Sequence, residues 1–420
     1  MKKLFYLSLL LISVLLVILF ASCSFSDIPS IPNGAIDATN HGLSPYNTAS
    51  DNSKALQALI DSLSEDNGGI VFIPRGEYYF SANGTQTIGS HCIKMRSNVS
   101  IMGDGVETVL KPTGESLYGL DMFYFNDYLD TGDGIYLENC NFENFTIDAE
   151  ETTLKTYTSA GKGFMFNLFR NCHWNNVTVK NTDATGFGVD CPIDSSIINC
   201  VAIGCGKAAD EDSGGASGFG IGYGFANGED ILIKGCDSRD NKKFGFFFEH
   251  QGRFNSLKYS AYDYHCFEVA DCTASGNLYN YGGICAADVS YTSCTSLSAK
   301  KYGFYFENST DSNVISCESK GDLVSSFAIL KSDNYDVKGI CIDKCRGIST
   351  RYGVRIMSAG SGFMSENTVE SCDFSSTEEY TIYTSGHIVG LALYDNMTDL
   401  NINYFADRID SLENRDNSWN

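Results

Sequence analysis

Two carboxylates, Asp190 and Glu249, occupy the same place in two similar segments, Gly-Phe-Gly-Val-Asp and Gly-Phe-Phe-Phe-Glu. A third segment between them, Gly-Phe-Gly-Ile-Gly, has Gly222 at the equivalent position. If the three segments stack as neighbouring strands about 4.8 Å apart, the carboxylates lie roughly 9 to 10 Å apart across a floor without side chains. That spacing suits hydrolysis of a glycosidic bond with inversion, in which one carboxyl group is the acid and the other activates water.

A cationic and aromatic segment directly follows Glu249 and forms the longest step between repeats. It contains His250, Arg253, Lys258 and Tyr259. Loops inserted on one face of a repeat protein commonly build its binding site. We predict that His250 and Arg253 assist catalysis, and that Lys258 and Tyr259 contact the substrate, because cations hold carboxylates and tyrosine rings pack against sugars. The alternative is a solvated acidic stripe beside a loop that only covers a coil edge.

Because side chains alternate between the two faces of a strand, the repeats predict two outward-facing rows. The first row is Tyr136, Met165, Gly188, Gly220, Phe247, Ile284, Tyr305, Ala328 and Arg355. The second row is Glu138, Asn167, Asp190, Gly222, Glu249, Ala286, Glu307, Leu330 and Met357. From these rows we predict that Phe247, Tyr305 and Arg355 contact the substrate and that Glu307 extends a subsite.

The sequence gives less support for a metal site or a serine nucleophile. Three consecutive acids, Asp210, Glu211 and Asp212, lie in a glycine-rich insertion. A Ca²⁺ site with oxygen ligands is one interpretation of them, and a solvated loop is the other. The 6 histidines lack metal-ligand spacing, and the sequence contains no Gly-x-Ser-x-Gly. We therefore predict no zinc site, no serine nucleophile and no firm cofactor, with calcium left open.

The elements that position these residues are short apolar runs, most of which begin with a glycine. They begin at Gly134, Gly163, Gly186, Gly218, Gly245, Gly303 and Gly353, with weaker copies at Gly282 and Ser326. Turn residues separate the runs, and helical periodicity is nearly absent. The pattern predicts an all-β domain over residues 34–404, a single-stranded right-handed parallel β-helix. The inward positions predict a stack of Phe164, Phe187, Phe219, Phe246 and Phe304.

Cysteines recur at similar points of the repeat. They are Cys140, Cys172, Cys200, Cys236, Cys272, Cys294, Cys317, Cys345 and Cys372. A thiol is small and apolar when buried, so we predict a stacked ladder inside the solenoid. Stacking would also bring neighbouring Cα atoms within disulfide range. Free thiols are favoured over disulfides, because an odd number of cysteines remains when Cys23 is set apart and stacked neighbours rarely present the required dihedral angle.

The segment before the repeats predicts a cap. Residues 51–53, Asp-Asn-Ser, precede an amphipathic helix at 54–63, and Gly-Gly-Ile-Val-Phe-Ile-Pro-Arg-Gly follows at 68–76. This order resembles the pectate-lyase-like, or pectin lyase-like, superfamily of β-helix proteins, which includes phage tailspikes and polysaccharide-degrading enzymes. The resemblance covers residues 33 to about 400. It implies that the helix closes the N-terminal end, where apolar core and strand edges would otherwise be exposed.

Two narrower resemblances concern the site. Residues 186–193 are similar to the catalytic strand of alginate C5-epimerases, in which a tyrosine and an Asp-Pro-His-Glu run supply the chemistry. Of these groups Asp190 is present, whereas Phe187, Pro192 and Ile193 replace the tyrosine, histidine and glutamate. Residues 181–183, 229–230 and 355–357 follow the order of polygalacturonase motifs, without the Gly-His-Gly motif. Both resemblances are distant, and they leave the reaction open.

The first residues indicate export. Residues 1–22 combine a short cationic start with an apolar run, as signal peptides do. The small residues before Cys23 resemble a bacterial lipobox, so Cys23 is the predicted lipidation site and residues 23–33 a tether. This predicts an exported lipoprotein anchored at the membrane of the cell envelope, with an uncleaved anchor as the alternative. Residues 405–420 are predicted to form a polar tail that leaves the solenoid.

Composition excludes several classes of protein. The 420 residues include 41 Gly and 6 Pro and are 43% hydrophobic, so the chain can bury a large core and is neither disordered nor collagen-like. The formal net charge is −23, so nucleic acid is not an expected partner. The expected partners are a polysaccharide and, through the lipid alone, a membrane.

Together these features predict a polysaccharide-active protein that cleaves glycosidic bonds. A hydrolase would use Asp190 and Glu249, whereas a lyase would need a uronate substrate and a lysine or arginine base. The alternative is a non-catalytic, glycan-binding or adhesin-like solenoid at the cell surface.

Overall fold

The computed structural model describes residues 31–131, 134–210, 212–225, 228–251, 265–332, 334–398, 403–405, 409–415 and 418–419. In these ranges three columns of parallel strands wind around one hydrophobic interior. Each strand pairs with its equivalents one coil earlier and one coil later. The chain is the right-handed parallel β-helix that the repeats predict.

The strands fall into columns by their pairing. The first column contains Gly89–Lys94, Leu120–Asn126, the beginning of Phe164–Lys180, Phe187–Ile193, Phe219–Tyr223, Phe244–His250, Tyr279–Ile284, Tyr302–Glu307, Ser325–Lys331, Tyr352–Ser358, Tyr380–Ser385 and Asn403–Phe405. The second contains Ala35–Asp37, Gly69–Ile73, Val99–Gly103, Ser195–Ile198, Glu229–Lys234, His265–Ala270, Val289–Thr292, Asn313–Ile315, Cys341–Asp343, Asn367–Glu370, Ile388–Tyr394 and Ile409–Arg415. The third contains Gly76–Phe80, Thr108–Pro112, Val201–Ile203, Asp237–Arg239, Thr273–Ser275, Thr295–Leu297, Glu318–Lys320, Arg346–Ile348, Asp373–Ser376, Met397–Thr398 and Ser418–Trp419. The long strand Leu137–Asp148 spans the second and third columns, and Phe164–Lys180 spans all three.

A few elements lie outside the columns. They are the 3₁₀ helix Ala38–His41, the short helix Asp127–Asp130, the strand Gly84–Gln86 antiparallel to Gly89–Lys94, and the strand pairs Gly114–Ser116 with Thr152–Leu154 and Val337–Lys338 with Met364–Ser365. In the part of the chain described, no helix is long and apolar enough to span a membrane.

The N-terminal helix forms the predicted cap but begins earlier than predicted. It runs Ala49–Glu65, with Thr48 as N-cap, because the Thr48 side chain accepts a hydrogen bond from the Asp51 N–H. Asn52 and Ser53 are therefore buried within the helix, where they donate to the carbonyl oxygens of Tyr79 and Ser81. The helix packs against Gly76–Phe80, Gly89–Lys94 and Gly69–Ile73, one early strand of each column, so it covers the end of the hydrophobic interior.

The predicted aromatic stack is present and is longer than predicted. It runs Phe123, Phe164, Phe187, Phe219, Phe246, Tyr281, Phe304 and Phe327, one ring for each coil. Phe219 is nearly parallel to both neighbours, with ring centroids 4.7 Å from Phe187 and 4.8 Å from Phe246. Stacked aromatics on the inward face fix the register, so the outward residues also align from coil to coil.

The structure corrects the outward rows at two places. Tyr281 fills the stack position of its coil, so Gly282 and Ile284 stand outward where the sequence predicted Ile284 and Ala286. Gly282 is thus a row residue and not an opening glycine. Glu138 pairs with Arg170, so it belongs to another part of the coil than Asn167 and Asp190.

The cysteines form two columns and not one. Cys200, Cys236, Cys272, Cys294, Cys317, Cys345 and Cys372 stack on consecutive coils, and backbone N–H groups donate to the thiol of the next coil at 3.3 to 3.4 Å. Cys140 and Cys172 belong to a separate column, which continues at Ser195. All fifteen cysteines in the described residues are free thiols.

Two sequence predictions concern the ends of the chain, the lipidated Cys23 and the polar tail at 405–420. Residues 1–30, with Cys23, lie outside the described residues. The expected tail contains Ile409–Arg415, which pairs with Ile388–Tyr394, and Ser418–Trp419, which pairs with Met397–Thr398. Coil pairing therefore continues beyond residue 404.

Candidate active site

A cavity of about 530 Å³ opens on the outward face of the first column. Asp190 and Glu249 both line it, and Gly222 lies between them on the intervening coil. The lining also includes Ser159, Lys162, Thr185, Gly188, Asp212, Gly214, Gly215, Ser217, Gly220, Ile221, Lys243, Phe244, Phe247, Gln251 and Ile284. The structure thus brings the two carboxylates into one cavity.

Gly188, Gly220 and Gly222 form the cavity floor. Glycine is needed there because side chains from neighbouring connections lie directly over these positions. A Cβ atom on Gly188 would stand 2.5 Å from Lys162 Cδ, and one on Gly222 would stand 2.0 Å from Gln251 Nε2. On Gly220 it would lie 3.1 Å from Thr185 Cγ2. Any larger residue at Gly188 or Gly222 would displace a polar side chain of the cavity.

Asp190 is held by the coil that follows it. Its Oδ1 accepts a hydrogen bond of 2.7 Å from the backbone N–H of Gly222. Asp190 is half-buried, so this oxygen faces the cavity floor while the group remains accessible from the groove.

Glu249 has the electrostatic environment of a general acid. Burial raises its pKa from 4.5 to about 7, the charge of Asp190 adds to the rise, and Lys243 opposes it. At neutral pH a large fraction of Glu249 is therefore protonated. The cavity thus holds one carboxyl group with a raised pKa, Glu249, and a second, Asp190, that accepts a hydrogen bond from a backbone N–H.

Lys243 precedes the strand Phe244–His250 and lies in the same cavity. Its Nζ donates to the carbonyl oxygen of Ser213 at 3.2 Å. Burial lowers the pKa of Lys243, although Asp212, Glu307 and Glu249 favour its charged form. Lys162, on the other side of Gly222, supplies a second amine to the lining. The carboxylate pair is therefore flanked by two amines.

One wall of the cavity consists of two loops bound to each other. The hydroxyl of Tyr157 donates to the carbonyl oxygens of Gly214 at 2.6 Å and Gly215 at 2.8 Å. Ser159 Oγ also donates to Gly214 O, at 3.1 Å. Since a Cβ on Gly215 would stand 2.7 Å from Ser159 Cβ, this close approach requires glycine. These contacts hold Asp212 and Ser159 at the cavity edge.

Of the two residues predicted to assist catalysis, the structure describes only His250, which lies outside the cavity. His250 is fully buried inside the coil, where its ring contacts Tyr223 and His265 at centroid distances of 4.9 and 5.5 Å. It follows Glu249 directly, so alternation turns it inward. Arg253, Lys258 and Tyr259 lie outside the described residues.

The predicted substrate contacts are spread along the groove. Phe247 lines the cavity. Tyr305 is 7% exposed and stacks on Tyr279 and Tyr302, and its hydroxyl donates to Glu307 Oε2 at 2.5 Å. Tyr305 therefore orients Glu307 and has little ring surface free for a sugar.

Sequence reasoning missed several residues of the lining. Lys162, Thr185, Gln251 and Asp212 stand outside the outward rows, in the connections that reach over the floor. The rows hold only strand residues, so they could not contain these groups. For Lys243 a signal existed, since it immediately precedes the strand that carries Glu249.

The structure describes two of the three acids that the sequence offered as a Ca²⁺ site, Asp210 and Asp212. Asp210 Oδ1 accepts hydrogen bonds from the N–H and the hydroxyl of Ser213, which is a local turn. Asp212 lines the cavity, and Glu211 lies outside the described residues. Across the residues that the structure describes, no group of three or more His, Cys, Asp or Glu side chains is arranged to hold a metal ion.

The coil architecture and the groove on its first column define a pectate lyase-like β-helix protein. Within that class, the family model described as "Rhamnogalacturonase A/epimerase, pectate lyase-like" matches residues 37–296, and the chain belongs to this family.

Curated relatives match over a short segment. Mannuronan C5-epimerase AlgE1 from Azotobacter vinelandii is 42% identical over 64 residues, which are 15% of this chain and 4% of that protein. Mannuronan C5-epimerase AlgE2 from the same organism is 43% identical over 63 residues, 15% of this chain and 6% of that protein. The chain thus spans a small fraction of these relatives.

Solved structures match over most of the chain. The A-module of Azotobacter vinelandii mannuronan C-5 epimerase AlgE4 has a TM-score of 0.64 at 18% identity, covering 86% of this chain and 95% of that one. The catalytic unit of the GH87 alpha-1,3-glucanase from Streptomyces thermodiastaticus has a TM-score of 0.61 at 12% identity, covering 94% and 70%. The tailspike of E. coli bacteriophage HK620, solved with a pentasaccharide, has a TM-score of 0.58 at 13% identity, covering 87% and 66%. At these identities the likeness concerns the fold alone.

Proposed function

We propose that the chain is a glycoside hydrolase that cleaves a polysaccharide with inversion, with Glu249 as general acid and Asp190 as general base. The observation that carries the proposal is a single cavity that holds two carboxyl groups two coils apart, one of which has a raised pKa. Burial and the neighbouring charge raise the pKa of Glu249 to about 7, and the Gly222 N–H holds Asp190.

The spacing of the pair supports inversion. Asp190 and Glu249 stand two coils apart, which corresponds to roughly 9 to 10 Å between their backbones. Inverting enzymes need about 6.5 to 9.5 Å between carboxyl groups to leave room for a water molecule. Between the two carboxylates the Gln251 amide lies over Gly222, where it offers a further hydrogen-bonding group.

In the proposed reaction Glu249 donates its proton to the glycosidic oxygen as the bond from that oxygen to the anomeric carbon breaks. A water molecule attacks the same carbon from the opposite face and gives its proton to Asp190. The cycle leaves Glu249 ionised and Asp190 protonated, and exchange of both protons with solvent restores the starting state. Lys243 stabilises the ionised Glu249 after transfer, because it lies in the same cavity.

A polysaccharide panel tests the proposal. The soluble chain without residues 1–23 is incubated with neutral and acidic polysaccharides, with and without Ca²⁺. New reducing ends are measured together with the ultraviolet absorbance of unsaturated uronates. We expect reducing ends without absorbance, loss of at least about a thousandfold in Glu249→Gln and Asp190→Asn, and a proton NMR signal from the inverted anomer first. Glu268→Gln is the matched control, since Glu268 is an exposed carboxylate on a neighbouring column.

Other outcomes lead to other functions. Absorbance with each new chain end would replace the hydrolase by a lyase with Lys243 or Lys162 as candidate base. Binding without any product across the panel would leave a glycan-binding solenoid. Activity that survives both carboxyl substitutions would remove the pair from the mechanism.

The cellular localisation of the protein is a separate proposal. We propose that the protein is exported and anchored through lipid at Cys23, on the sequence of residues 1–23. Metabolic labelling with a radioactive fatty acid should mark the full chain and not Cys23→Ala. Equal labelling of both, or of neither, would contradict the anchor.

A further inference from the structure

Arg355 extends the groove away from the carboxylate pair. Along the first column the pairing runs Phe247, Gly282, Tyr305, Ala328 and Arg355, one residue for each coil. Arg355 therefore lies four coils beyond the coil of Glu249, about 19 Å along the solenoid axis. It is half-buried, and it faces the same side as the cavity.

Arg355 has no carboxylate partner among the residues that the structure describes. Eight arginines have described side chains, and seven of them pair with an acid within 4.0 Å: Arg75, Arg96, Arg170, Arg239, Arg346, Arg351 and Arg415. In a chain with 52 acidic residues against 29 basic ones, an arginine without an acid is unusual.

The surroundings of Arg355 are aromatic. Its Nη1 donates to the hydroxyl of Tyr302 at 3.0 Å, and its guanidinium carbon lies 5.7 Å from the ring centroids of both Tyr352 and Tyr383. Tyr302 lies two coils back, so the side chain crosses the coil of Ser325 and Ala328, both of which are small. Tyrosine rings hold a guanidinium in a fixed plane without neutralising its charge.

One donor of this guanidinium is buried without a partner. Arg355 Nε makes no hydrogen bond to any described residue. An unpaired buried donor carries a desolvation cost, and a shift of the side chain that brings Nε to a ligand oxygen would remove it. A planar guanidinium that is oriented, charged and incompletely paired matches a carboxylate, which can accept two parallel hydrogen bonds.

We propose that Arg355, with Tyr302, Tyr352 and Tyr383, forms a subsite for the carboxylate of an acidic polysaccharide bound along the groove. The proposal rests on the proposed function for the polysaccharide, and it names the class of substrate as one that carries uronic or similar acidic sugars. A neutral polymer has no group that would take up this charge.

Binding measurements test the subsite separately from catalysis. Uronic-acid oligosaccharides long enough to span four coils are titrated by calorimetry into the full chain carrying Glu249→Gln, and so are the same oligosaccharides after chemical reduction of their carboxyl groups to neutral alcohols. We expect the acidic form to bind more tightly than the reduced form. Adding Arg355→Met should weaken binding of the acidic form about tenfold and leave the reduced form unchanged. Arg355→Lys should fall between, because it keeps the charge and loses the fork.

Arg351→Met is the matched control. Arg351 also lies over Tyr352, at 5.0 Å, but it pairs with Glu379 at 2.8 Å. It should leave acidic binding unchanged. Equal binding of acidic and reduced oligosaccharides, no binding of either, or equal losses for both in Arg355→Met would overturn the subsite. Because Glu249→Gln removes the acid, discrimination between the two forms would persist even if the chain proves not to be a hydrolase.

Discussion

Asp190 and Gly222 are joined by a hydrogen bond of 2.7 Å, donated by the glycine N–H to the carboxylate Oδ1. The two residues belong to adjacent coils and share one floor with Glu249, which lies one coil further. Gly222 thus has two roles, since its N–H holds the proposed base and its missing side chain leaves space for Gln251.

Gly222→Ala should reduce activity much more than stability. The new Cβ would stand 2.0 Å from Gln251 Nε2 and 2.7 Å from Asp190 Oδ1, so both side chains must move. These are ends of flexible side chains, so we expect the melting temperature to change little and kcat to fall about a hundredfold. Gly220→Ala is the control, since its nearest contact would be 3.1 Å, and it should stay within about threefold of wild type. Similar kcat values for the two variants would contradict this role of Gly222.

The pH dependence of kcat should have an alkaline limb near pH 7. Glu249 must be protonated to act as the acid, and its pKa is raised to about 7. Activity should therefore decline as the pH rises above this value. Lys243→Met removes a charge that lowers the pKa of Glu249, so the limb should move to higher pH. Lys242→Met, at the neighbouring position, should leave the limb in place, and a limb that moves to lower pH in Lys243→Met would contradict the assignment.

Glu249→Gln should stabilise the fold at alkaline pH. The folded pKa of about 7 lies above the ordinary value of 4.5, so the fold disfavours the ionised form. The resulting loss of folding free energy is absent below pH 4.5 and grows between pH 4.5 and 7. Above pH 7 it is constant, on the order of 3 kcal/mol at most. Denaturant unfolding at pH 8 should show a higher free energy of unfolding for the variant, with no difference at pH 4. Glu268→Gln, on the surface, should show neither effect.

The aromatic stack should stabilise the fold without taking part in catalysis. Phe304 stacks on Tyr281 at 4.7 Å and on Phe327 at 5.1 Å, and it is fully buried. Phe304→Ala should lower the free energy of unfolding by about 3 to 5 kcal/mol. Leu323→Ala, at a side chain that is 69% exposed, should change it by less than about 0.5 kcal/mol. A loss below about 1 kcal/mol for Phe304→Ala would show that the stack is not essential to the core.

Thiol titration should separate two groups of cysteines. Thirteen of the fifteen described cysteines are buried, and Cys266 and Cys341 are partly exposed. A thiol reagent should therefore label at most these two in the folded protein, and all fifteen after unfolding without reductant. Fewer labelled thiols after unfolding would indicate disulfides and would contradict the free-thiol columns.

The sequence predicted the fold because one feature, a glycine followed by an inward aromatic residue, recurs in many of the coils. A glycine before an inward aromatic residue gave the stack, and the stack gave the outward register of Asp190, Gly222 and Glu249. The prediction was wrong at Gly282, where Asn280 takes the place of the opening glycine. Asn280 Nδ2 donates to Ser296 Oγ at 2.8 Å, so a buried amide serves where other coils have no side chain.

The rest of the candidate site depends on contacts between distant connections. Lys162 reaches the floor over Gly188, and Tyr157 and Ser159 bind the backbone of Gly214 and Gly215. No local pattern indicates which loop folds over which coil. The position of His250, in contrast, follows from the local sequence, because strand alternation after Glu249 turns its side chain inward.

The alternation of the first-column strands has a consequence for how such proteins diversify. Phe219 and Gly220 are adjacent in the chain, yet one belongs to the interior stack and the other to the groove. Mutations in the groove therefore leave the interior nearly untouched, and mutations of the interior change no group that meets a ligand. Outward residues can therefore change one at a time while the architecture persists, so a shared shape at 18% identity indicates shared packing and does not indicate the reaction.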